Sequence, residues 1–334
     1  MEIKEGIKRV IEREDLTAKE MREVMNQIVS GDATSAQKGG FLAALKAKGE
    51  TSDELLGAVQ ALRDNMLKVD IKNNEHLIDT CGTGGDGGKT FNISTAVSII
   101  VASGGACVAK HGNRAVSSKS GSLDVLNELG IKTDYSKEES EKLIQEKGMS
   151  FLAAPSYNSG MKNVSKERQE LGTRTIFNML GPLLNPAPLT GQLMGVYDES
   201  LLETVGQVLL DLGLDRALIV HGNDGLDEIT TTTTTTVCEV KDGALKKYIL
   251  NPKDYGINIS KLSEIEGGTP EENSKIILDI LKGEKGAKRD IVVINAGAAL
   301  YVAKIVDSIE DGIKLANELI DSGKALKKYE QLKA

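Results

Sequence analysis

The chain has no tryptophan, and aromatic residues make up only 3% of its 334 residues. A folded core must therefore be packed mainly by aliphatic side chains and alanine, which is feasible because 40% of the residues are hydrophobic. The three cysteines, Cys81, Cys107 and Cys238, are far apart, so no C-x-x-C pair indicates a zinc site or a redox dithiol. We expect three reduced thiols, as is usual for a cytosolic protein.

Long apolar runs and an excess of basic residues are also absent. No hydrophobic run reaches the roughly 18 residues of a membrane-spanning helix, and the first residues lack the basic and apolar segments of a secretory signal. The net charge of −8 disfavours extensive nucleic-acid binding, although a local basic pocket is compatible with it. We therefore expect a cytoplasmic protein with neither a membrane nor a nucleic acid as partner.

The hydrophobic pattern divides the chain into two kinds of structure. Residues 1–70 show helical spacing, with capping boxes predicted at Thr17 and Thr51, and predict a small all-helical N-terminal domain. From about residue 75, short apolar runs alternate with helical stretches, which predicts a larger α/β domain with a mostly parallel central sheet flanked by helices. We assign residues 71–160 and 186–334 to this domain, and we expect the polar helical stretch at about 161–185 to complete the helical one.

The strands and helices of the larger domain are predicted individually. The predicted helices are Ala96–Ala102, Leu123–Leu129, Lys137–Lys147, Leu201–Leu212, Glu271–Leu281 and Ile309–Asp321. The predicted strands are Leu77–Thr80, Ala106–Ala109, Ser150–Ala153, Leu193–Tyr197, Ala217–Val220 and Ile291–Ile294. Val237–Val240 and Leu245–Ile249, joined around Asp242-Gly243, predict a hairpin. The run Thr230–Thr236 is interpreted as an extended loop or an edge strand, without a chemical role.

A glycine-rich segment between the first predicted strand and the following helix is the most informative motif. Five glycines lie within the seven residues Gly82–Gly88. Such a loop lets a ligand approach the main chain and directs N–H groups and a helix N-terminus at an anion. The dinucleotide pattern G-x-G-x-x-G matches Gly82–Gly87, but the acidic residue about 20 positions later is missing, which argues against NAD and less firmly against NADP. The Walker A spacing fails because its first glycine is replaced by Thr83.

Three further polar clusters complete the candidate chemistry. Lys110–Arg114, with the serines that follow, suits a phosphate or diphosphate. Asp227 and Glu228 follow another predicted strand and are candidate magnesium ligands beside a phosphate site. Arg168 lies in the polar helical stretch. The scattered histidines form no metal site, and no nucleophile motif is present, which favours group transfer by positioning and charge stabilisation.

Together these segments resemble the anthranilate phosphoribosyltransferase family over nearly the whole chain. The motifs that carry the resemblance are Cys81–Gly87, Asn92–Thr95, Val108–Val116, Ser120–Leu126, Arg174–Pro182 with Asn185-Pro186, and Gly225–Ile229. The resemblance implies transfer of the 5-phosphoribosyl group from 5-phosphoribosyl 1-diphosphate to the amine of anthranilate, in tryptophan biosynthesis. It also implies Mg²⁺, two ions per subunit, and a homodimer joined through the helical domain, in which the helices that bear Met21 and Met25 would contact the second subunit.

The resemblance assigns roles to individual residues. Lys110, His111, Asp227 and Glu228 would be catalytic, with His111 more suited to ring positioning than to proton removal. Magnesium would be bound by Ser94, Asp227 and Glu228, and anthranilate by Gly82, Asn113 and Arg168. The phosphoribosyl diphosphate would be bound by Gly82, Gly85, Asp86, Thr90, Asn92, Ile93, Ser94, Thr95, Lys110, His111, Gly112, Asn113, Arg114, Ala115, Val116, Ser117, Ser118 and Ser122.

Two alternatives remain open at this point. A pyrimidine-nucleoside phosphorylase has a similar glycine loop but uses inorganic phosphate and lacks this form of the Lys110–Arg114 segment. A non-catalytic homologue that binds nucleic acid should lose Asp227-Glu228 or carry a basic groove. The family often has proline after the acidic pair, where this chain has only threonine, so we expect the geometry of that loop to differ.

Overall fold

Four helices form the N-terminal part of the chain in the computed structural model, which describes residues 1–72, 75–84, 90–114 and 120–333. Thr17, Thr34 and Thr51 each cap the following helix through a capping box, two of which the sequence predicts. Gly31 ends the second helix in a left-handed conformation, with φ of 92°. The helices are α1 Ile3–Ile11, α2 Ala18–Ser30, α3 Ser35–Lys48 and α4 Ser52–Asp64.

The methionines of α2 belong to the core of this helical unit. Met21 and Met25 are completely buried and lie in a cluster with Phe41, Leu45 and Leu55 from α3 and α4. An alternative interpretation, that these methionines face a second subunit, does not fit their burial within one chain. Any contact between subunits must use other side chains.

A seven-stranded sheet organises the rest of the chain, in the order β3-β2-β1-β4-β5-β6-β7. The first five strands pair in parallel, whereas β6 and β7 form an antiparallel hairpin at one side. The mostly parallel sheet is confirmed, and so is the hairpin, whose turn holds Asp242 and Gly243 at positive φ. The strands are β1 Leu77–Gly82, β2 Cys107–Gly112, β3 Met149–Ala153, β4 Gly191–Gly195, β5 Arg216–Gly222, β6 Thr235–Lys241 and β7 Ala244–Leu250.

Further helices pack against the sheet or against the N-terminal helices. They are α5 Ile93–Ser103, α6 Ser122–Glu128, α7 Lys137–Lys147, α8 Ala154–Tyr157, α9 Ser165–Leu171, α10 Phe177–Leu183, α11 Leu201–Asp211, α12 Pro270–Leu281, α13 Ala287–Val302, α14 Ile309–Asp321 and α15 Lys324–Lys333. The strand predicted at Ile291–Ile294 is wrong, because these residues lie inside α13. Every residue of α13 from Ile291 to Val302 is buried, so its apolar run lacks the polar face that identifies a helix.

The polar stretch around residues 159–183 packs against the N-terminal helices. Helix α9 contacts α3, and α10 contacts α4. The hydroxyl of Ser35 on α3 donates a 2.8 Å hydrogen bond to the carboxylate of Glu167 on α9, and Lys38 donates to the carbonyl of Asn163. These contacts bring distant parts of the sequence together beside the sheet.

The threonine run differs from its predicted form. Thr230–Thr234 form a compact turn, and Thr235 and Thr236 begin β6, which lies between β5 and β7 and is not an edge strand. Thr230 and Thr231 are completely buried. Thr231 Oγ1 lies 2.8 Å from Ser260 Oγ, and the contacts of the Thr230 hydroxyl are described below.

Candidate active site

The start of the glycine-rich loop meets the acidic pair at the carboxyl ends of β1, β4 and β5. The N–H of Thr83 donates to the carbonyl of Gly195 at 3.0 Å, and the N–H of Gly84 donates to Asp227 Oδ2 at 2.7 Å. Gly84 has φ of 73°, in the left-handed region. In parallel sheets, ligands bind at the carboxyl ends of the strands, so this is the expected place for a site.

Two glycines are required here by the close approach of Asp227. A Cβ on Gly82 would lie 2.3 Å from Asp227 Oδ2, and a Cβ on Gly195 would lie 1.6 Å from the Asp227 carbonyl oxygen. Any larger residue at either position would displace the acidic loop. The sequence predicts a role for Gly82, whereas the similar requirement at Gly195 depends on a contact with a residue 32 positions later.

Lys110 projects from β2 into the same region and is almost completely buried. Its ammonium group donates to the Thr80 carbonyl at 2.6 Å and to Ser94 Oγ at 3.1 Å. An ammonium group has three donors, and among the described residues these two hydrogen bonds are the ones recorded. The remaining N–H leaves capacity for an oxygen of an anionic ligand.

A buried carboxylate lies behind Lys110. Asp79 on β1 is completely buried and accepts hydrogen bonds from Asn185 Nδ2 at 2.8 Å and from the His111 N–H at 3.4 Å. Burial raises the pKa of Asp79 to about 6, and the charge of Lys110 opposes that rise. The carboxylate thus partly balances the lysine charge and ties β1 to β2 and to the segment containing Asn185.

We expect Asp79→Asn to flatten the pH dependence of folding stability. The raised pKa means that the folded state binds this proton more tightly than the unfolded chain, where the pKa of an aspartate is about 3.9. The resulting stability is fully present below the unfolded pKa and is lost as pH rises through about 6, with a loss of about 2 kcal/mol between about pH 4.5 and pH 7.5. Urea unfolding of both proteins at these pH values measures it; identical pH dependence would contradict the assignment.

His111 is positioned as a structural linker and does not fit the role of proton acceptor. Its ring is buried, Nε2 lies 3.2 Å from Asn158 Nδ2, and the ring also hydrogen-bonds the main chain of Gly181. Burial lowers its pKa to about 4, so the ring is neutral near pH 7. The ring therefore joins β2 to the segments around α8 and α10, and the role predicted for it in ring positioning stays a prediction.

The N-terminus of α5 forms another wall of the site. Asn92 Oδ1 accepts from Ser120 Oγ at 3.0 Å and from Asn273 Nδ2 at 3.1 Å, so its side chain is held by two other segments. Ile93 and Thr95 are buried, and the Thr95 N–H already donates to the Asn92 carbonyl. Ile93 and Thr95 form part of this wall, and the buried Thr95 hydroxyl makes no hydrogen bond with the described residues, so the predicted ligand contacts of both residues stay predictions. Thr90 lies beside them and pairs with Glu266.

The segment after β2 folds onto the N-terminus of α6. Ser122 Oγ donates to the carbonyl of Asn113 at 3.2 Å, and a Cβ on Gly112 would lie 2.2 Å from Ser122 Oγ. Asn113 and Arg114 are exposed, which leaves them available to a ligand. The predicted contacts at Gly85, Asp86, Ala115, Val116, Ser117 and Ser118 lie outside the described residues.

Arg168 lies on α9, on the side of the N-terminal helices. Its guanidinium carbon is 5.5 Å from the ring centroid of Phe177, and the side chain is half-buried. Burial lowers the pKa of Arg168, and no ion pair with it is recorded in the described parts of the chain. No recorded contact there joins it to Gly82 or Asn113, so the predicted anthranilate-binding set is not brought into mutual contact.

The acidic pair suits a divalent cation that retains several non-protein ligands. Asp227 is buried and Glu228 half-buried, and no cluster of three or more histidine, cysteine, aspartate or glutamate residues is found within the described ranges. Mg²⁺ commonly takes one or two carboxylates and completes its shell with waters and substrate oxygens. The Ser94 hydroxyl, the third predicted ligand, contacts Lys110.

Three buried asparagines hold the walls of the site, and only one of them belongs to a motif that the sequence singles out. Asn185, Asn273 and Asn295 are each at most 1% exposed and hydrogen-bond the walls of the site. Asn185 belongs to the Asn185-Pro186 motif, which contributes to the family resemblance. Nothing in the local pattern distinguishes Asn273 and Asn295 from ordinary helical residues.

Comparisons with known proteins agree with this architecture. The profile described as "Glycosyl transferase family, a/b domain" matches residues 74–326, and the one described as "Glycosyl transferase family, helical bundle domain" matches residues 4–66. The anthranilate phosphoribosyltransferase of Clostridium beijerinckii is 66% identical over 99% of this chain and 98% of its own. This chain belongs to the anthranilate phosphoribosyltransferase family.

Solved structures of anthranilate phosphoribosyltransferases share the fold. The Thermus thermophilus enzyme has a TM-score of 0.92 at 37% identity, covering 98% of each chain. The Saccharomyces cerevisiae enzyme in complex with PRPP and Mg has a TM-score of 0.89 at 28% identity, covering 99% of this chain and 96% of its own. Among the described residues of the present family member, no helix has the length and apolar character needed to cross a membrane.

Proposed function

We propose that this chain transfers the 5-phosphoribosyl group from 5-phosphoribosyl 1-diphosphate to the amine of anthranilate, in tryptophan biosynthesis. The products are N-(5-phosphoribosyl)anthranilate and diphosphate. The observation that carries the proposal is the 66% identity to an anthranilate phosphoribosyltransferase over nearly the full length of both chains. The meeting of the glycine loop, Lys110 and Asp227 at the carboxyl edge of the sheet supports it.

The reaction separates charge, and the residues of the site are suited to that separation. As the C1–O bond to diphosphate breaks, the ribose gains oxocarbenium character and negative charge grows on the leaving group. The buried ammonium of Lys110 offsets that negative charge in surroundings where electrostatic interactions are strong. Main-chain N–H groups of the loop that begins at Gly82 would contact the diphosphate and ribose oxygens.

Mg²⁺ is the cofactor that fits these residues. Asp227 and Glu228 would hold it, with Ser94 as a third ligand, and we propose two ions per subunit. When bound, Mg²⁺ supplies positive charge that stabilises the diphosphate as it leaves. The 2.7 Å hydrogen bond from the Gly84 N–H to Asp227 supports this proposal, because it places a cation ligand directly beside the phosphate-binding loop.

Anthranilate needs to be held more than activated. Its amine is already a nucleophile, and the neutral, hydrogen-bonded ring of His111 leaves no free nitrogen to remove a proton. Arg168 would bind the anthranilate carboxylate, and Gly82 and Asn113 would line the same subsite. The half-buried guanidinium of Arg168 supports this role because a partly desolvated cation binds a carboxylate strongly.

The wider organisation forms part of the proposal. Residues 1–70, completed by about 161–185, constitute the helical domain, and residues 71–160 and 186–334 constitute the α/β domain. Two chains form a homodimer through the helical domain, where Ile11 on α1 is 64% exposed. The proposed location is the cytoplasm, which keeps thiols such as Cys81 reduced.

Light scattering should give twice the protomer mass of 35.7 kDa, because two chains form the proposed dimer. A monomer mass at micromolar concentration would contradict the dimer.

The function is tested by following the fluorescence of anthranilate. Fluorescence should decay when 5-phosphoribosyl 1-diphosphate and Mg²⁺ are both present, and a chelator should abolish the decay. Inorganic phosphate with pyrimidine nucleosides serves as the control for the phosphorylase alternative and should give no turnover. Phosphorolysis of a nucleoside without consumption of anthranilate would overturn the proposal.

A further inference from the structure

The acidic pair Asp227-Glu228 is anchored on its N-terminal side by the threonine run. Asp224 Oδ1 accepts from the N–H of Leu226 at 3.2 Å, next to Asp227 in the chain. Asp224 Oδ2 accepts from Thr230 Oγ1 at 2.6 Å and also from Thr232 Oγ1. The two threonine hydroxyls therefore fix the Asp224 carboxylate. That carboxylate in turn binds the N–H of Leu226, the residue before the acidic pair.

The C-terminal side of the pair has a separate anchor on α13. The N–H of Ile229 donates to Asn295 Oδ1 at 3.0 Å, and Asn295 Nδ2 donates to the Ile229 carbonyl at 2.8 Å. Asn295 is completely buried, and its amide also donates to the Ile291 carbonyl. These two hydrogen bonds fix the position of Ile229, because hydrogen bonds are stronger in a buried environment that excludes water.

These contacts make the position of the acidic pair depend in part on the threonine hydroxyls, which act beside the 2.8 Å hydrogen bond from the Gly222 N–H to the Leu226 carbonyl. Because Ile229 is fixed, any movement of Asp224 would displace the residues between the two, which include Asp227 and Glu228. Thr230 is completely buried, and its Oγ1 also accepts from the N–H of Thr232 at 3.0 Å, so the hydroxyl cannot exchange its partners for water without opening the turn.

We infer that Thr230 and Thr232 are positioning residues for the divalent-cation site, acting through Asp224 on Asp227 and Glu228. The inference rests on the proposed function, because it assumes that this pair binds Mg²⁺. Mg²⁺ requires near-ideal octahedral geometry, and loss of the groups that orient metal ligands typically weakens metal affinity by about 10- to 100-fold. The threonine run thereby gains a role that composition alone does not suggest.

The experiment is a calorimetric titration of 5-phosphoribosyl 1-diphosphate into the full-length protein at stepped Mg²⁺ concentrations, without anthranilate. Thr230→Val and Thr232→Val remove one hydroxyl each with little change in shape, and Thr230→Ser keeps the hydroxyl. Thr233→Val is the matched control, because no side-chain hydrogen bond of Thr233 is recorded in the part of the chain that the structure describes. Thr232 is only half-buried, so its variant decides the question if Thr230→Val does not fold.

The midpoint is the Mg²⁺ concentration at which binding of 5-phosphoribosyl 1-diphosphate reaches half of its maximum. We expect this midpoint to rise about 10-fold in Thr230→Val and in Thr232→Val. Thr230→Ser and Thr233→Val should match the wild type. A loss of folded protein would lower the number of binding sites without moving this midpoint. Wild-type midpoints in both valine variants, or an equal shift in Thr233→Val, would overturn the inference. Absence of Mg²⁺-dependent binding in the wild type would instead overturn the proposed function.

Discussion

Replacing Asp227 by asparagine and Glu228 by glutamine should lower kcat by about 10²- to 10³-fold, the range found when one preorganised electrostatic contact is removed from a transition state. The amides keep the shape of the side chains and lose the negative charges that a divalent cation requires. Asp227→Asn retains a carbonyl oxygen that can accept from the Gly84 N–H, so the loop contact at 2.7 Å can persist. The fluorescence assay at saturating substrates and stepped Mg²⁺ measures the effect.

A charge-matched control separates this effect from a general loss of charge. Asp53→Asn combined with Glu330→Gln removes two exposed carboxylates from α4 and α15 and should leave kcat unchanged. Thermal unfolding of both double variants establishes that the fold is retained. Wild-type turnover with the same Mg²⁺ dependence in Asp227→Asn/Glu228→Gln would exclude the acidic pair as the cation site.

The predictable parts of the fold are those that depend on neighbouring residues. The capping boxes at Thr17 and Thr51, the helix at Lys137–Lys147 and the turn at Asp242-Gly243 follow from patterns within a few positions, and the structure contains each of them. Helix α13 was missed for the converse reason. It is buried on all sides, and a uniformly apolar run does not show whether its period is that of a helix or of a strand.

The residues of the site could be predicted where a motif directly follows a predicted strand. They were harder to predict where a contact joins segments that are far apart in the sequence. Lys110 and Asp227 follow apolar runs that become β2 and β5, so the topology of a parallel sheet places them at one edge. The contact between Gly195 and Asp227, and the hydrogen bonds of Asn295 with Ile229, join residues 32 and 66 positions apart. No spacing rule predicts such pairs, because they depend on how complete helices and strands pack.

Arg168→Ala should raise the KM for anthranilate by about 10- to 100-fold, because a hydrogen-bonded charge pair contributes about 1.5–3 kcal/mol. The KM for 5-phosphoribosyl 1-diphosphate and kcat should change little, as expected when a contact is equally strong in the ground state and the transition state. Steady-state kinetics with each substrate varied in turn measures the two constants. Burial already lowers the pKa of Arg168, which indicates that its charge is incompletely hydrated and ready to pair with a carboxylate.

Two further variants distinguish the charge of Arg168 from its packing on Phe177. Arg168→Met keeps an apolar stem near the Phe177 ring, 5.5 Å from the present guanidinium carbon, and should raise the anthranilate KM as much as alanine does. Lys166→Ala removes an exposed cation from the same helix, one that pairs only with Glu170 among the recorded contacts, and should have no effect. An anthranilate KM that stays at the wild-type value in Arg168→Met, or rises equally in Lys166→Ala, would show that no carboxylate pairs with Arg168. Arg168 lies beside the N-terminal helices, so such a result would restrict the proposed anthranilate subsite to the loops around Gly82 and Asn113.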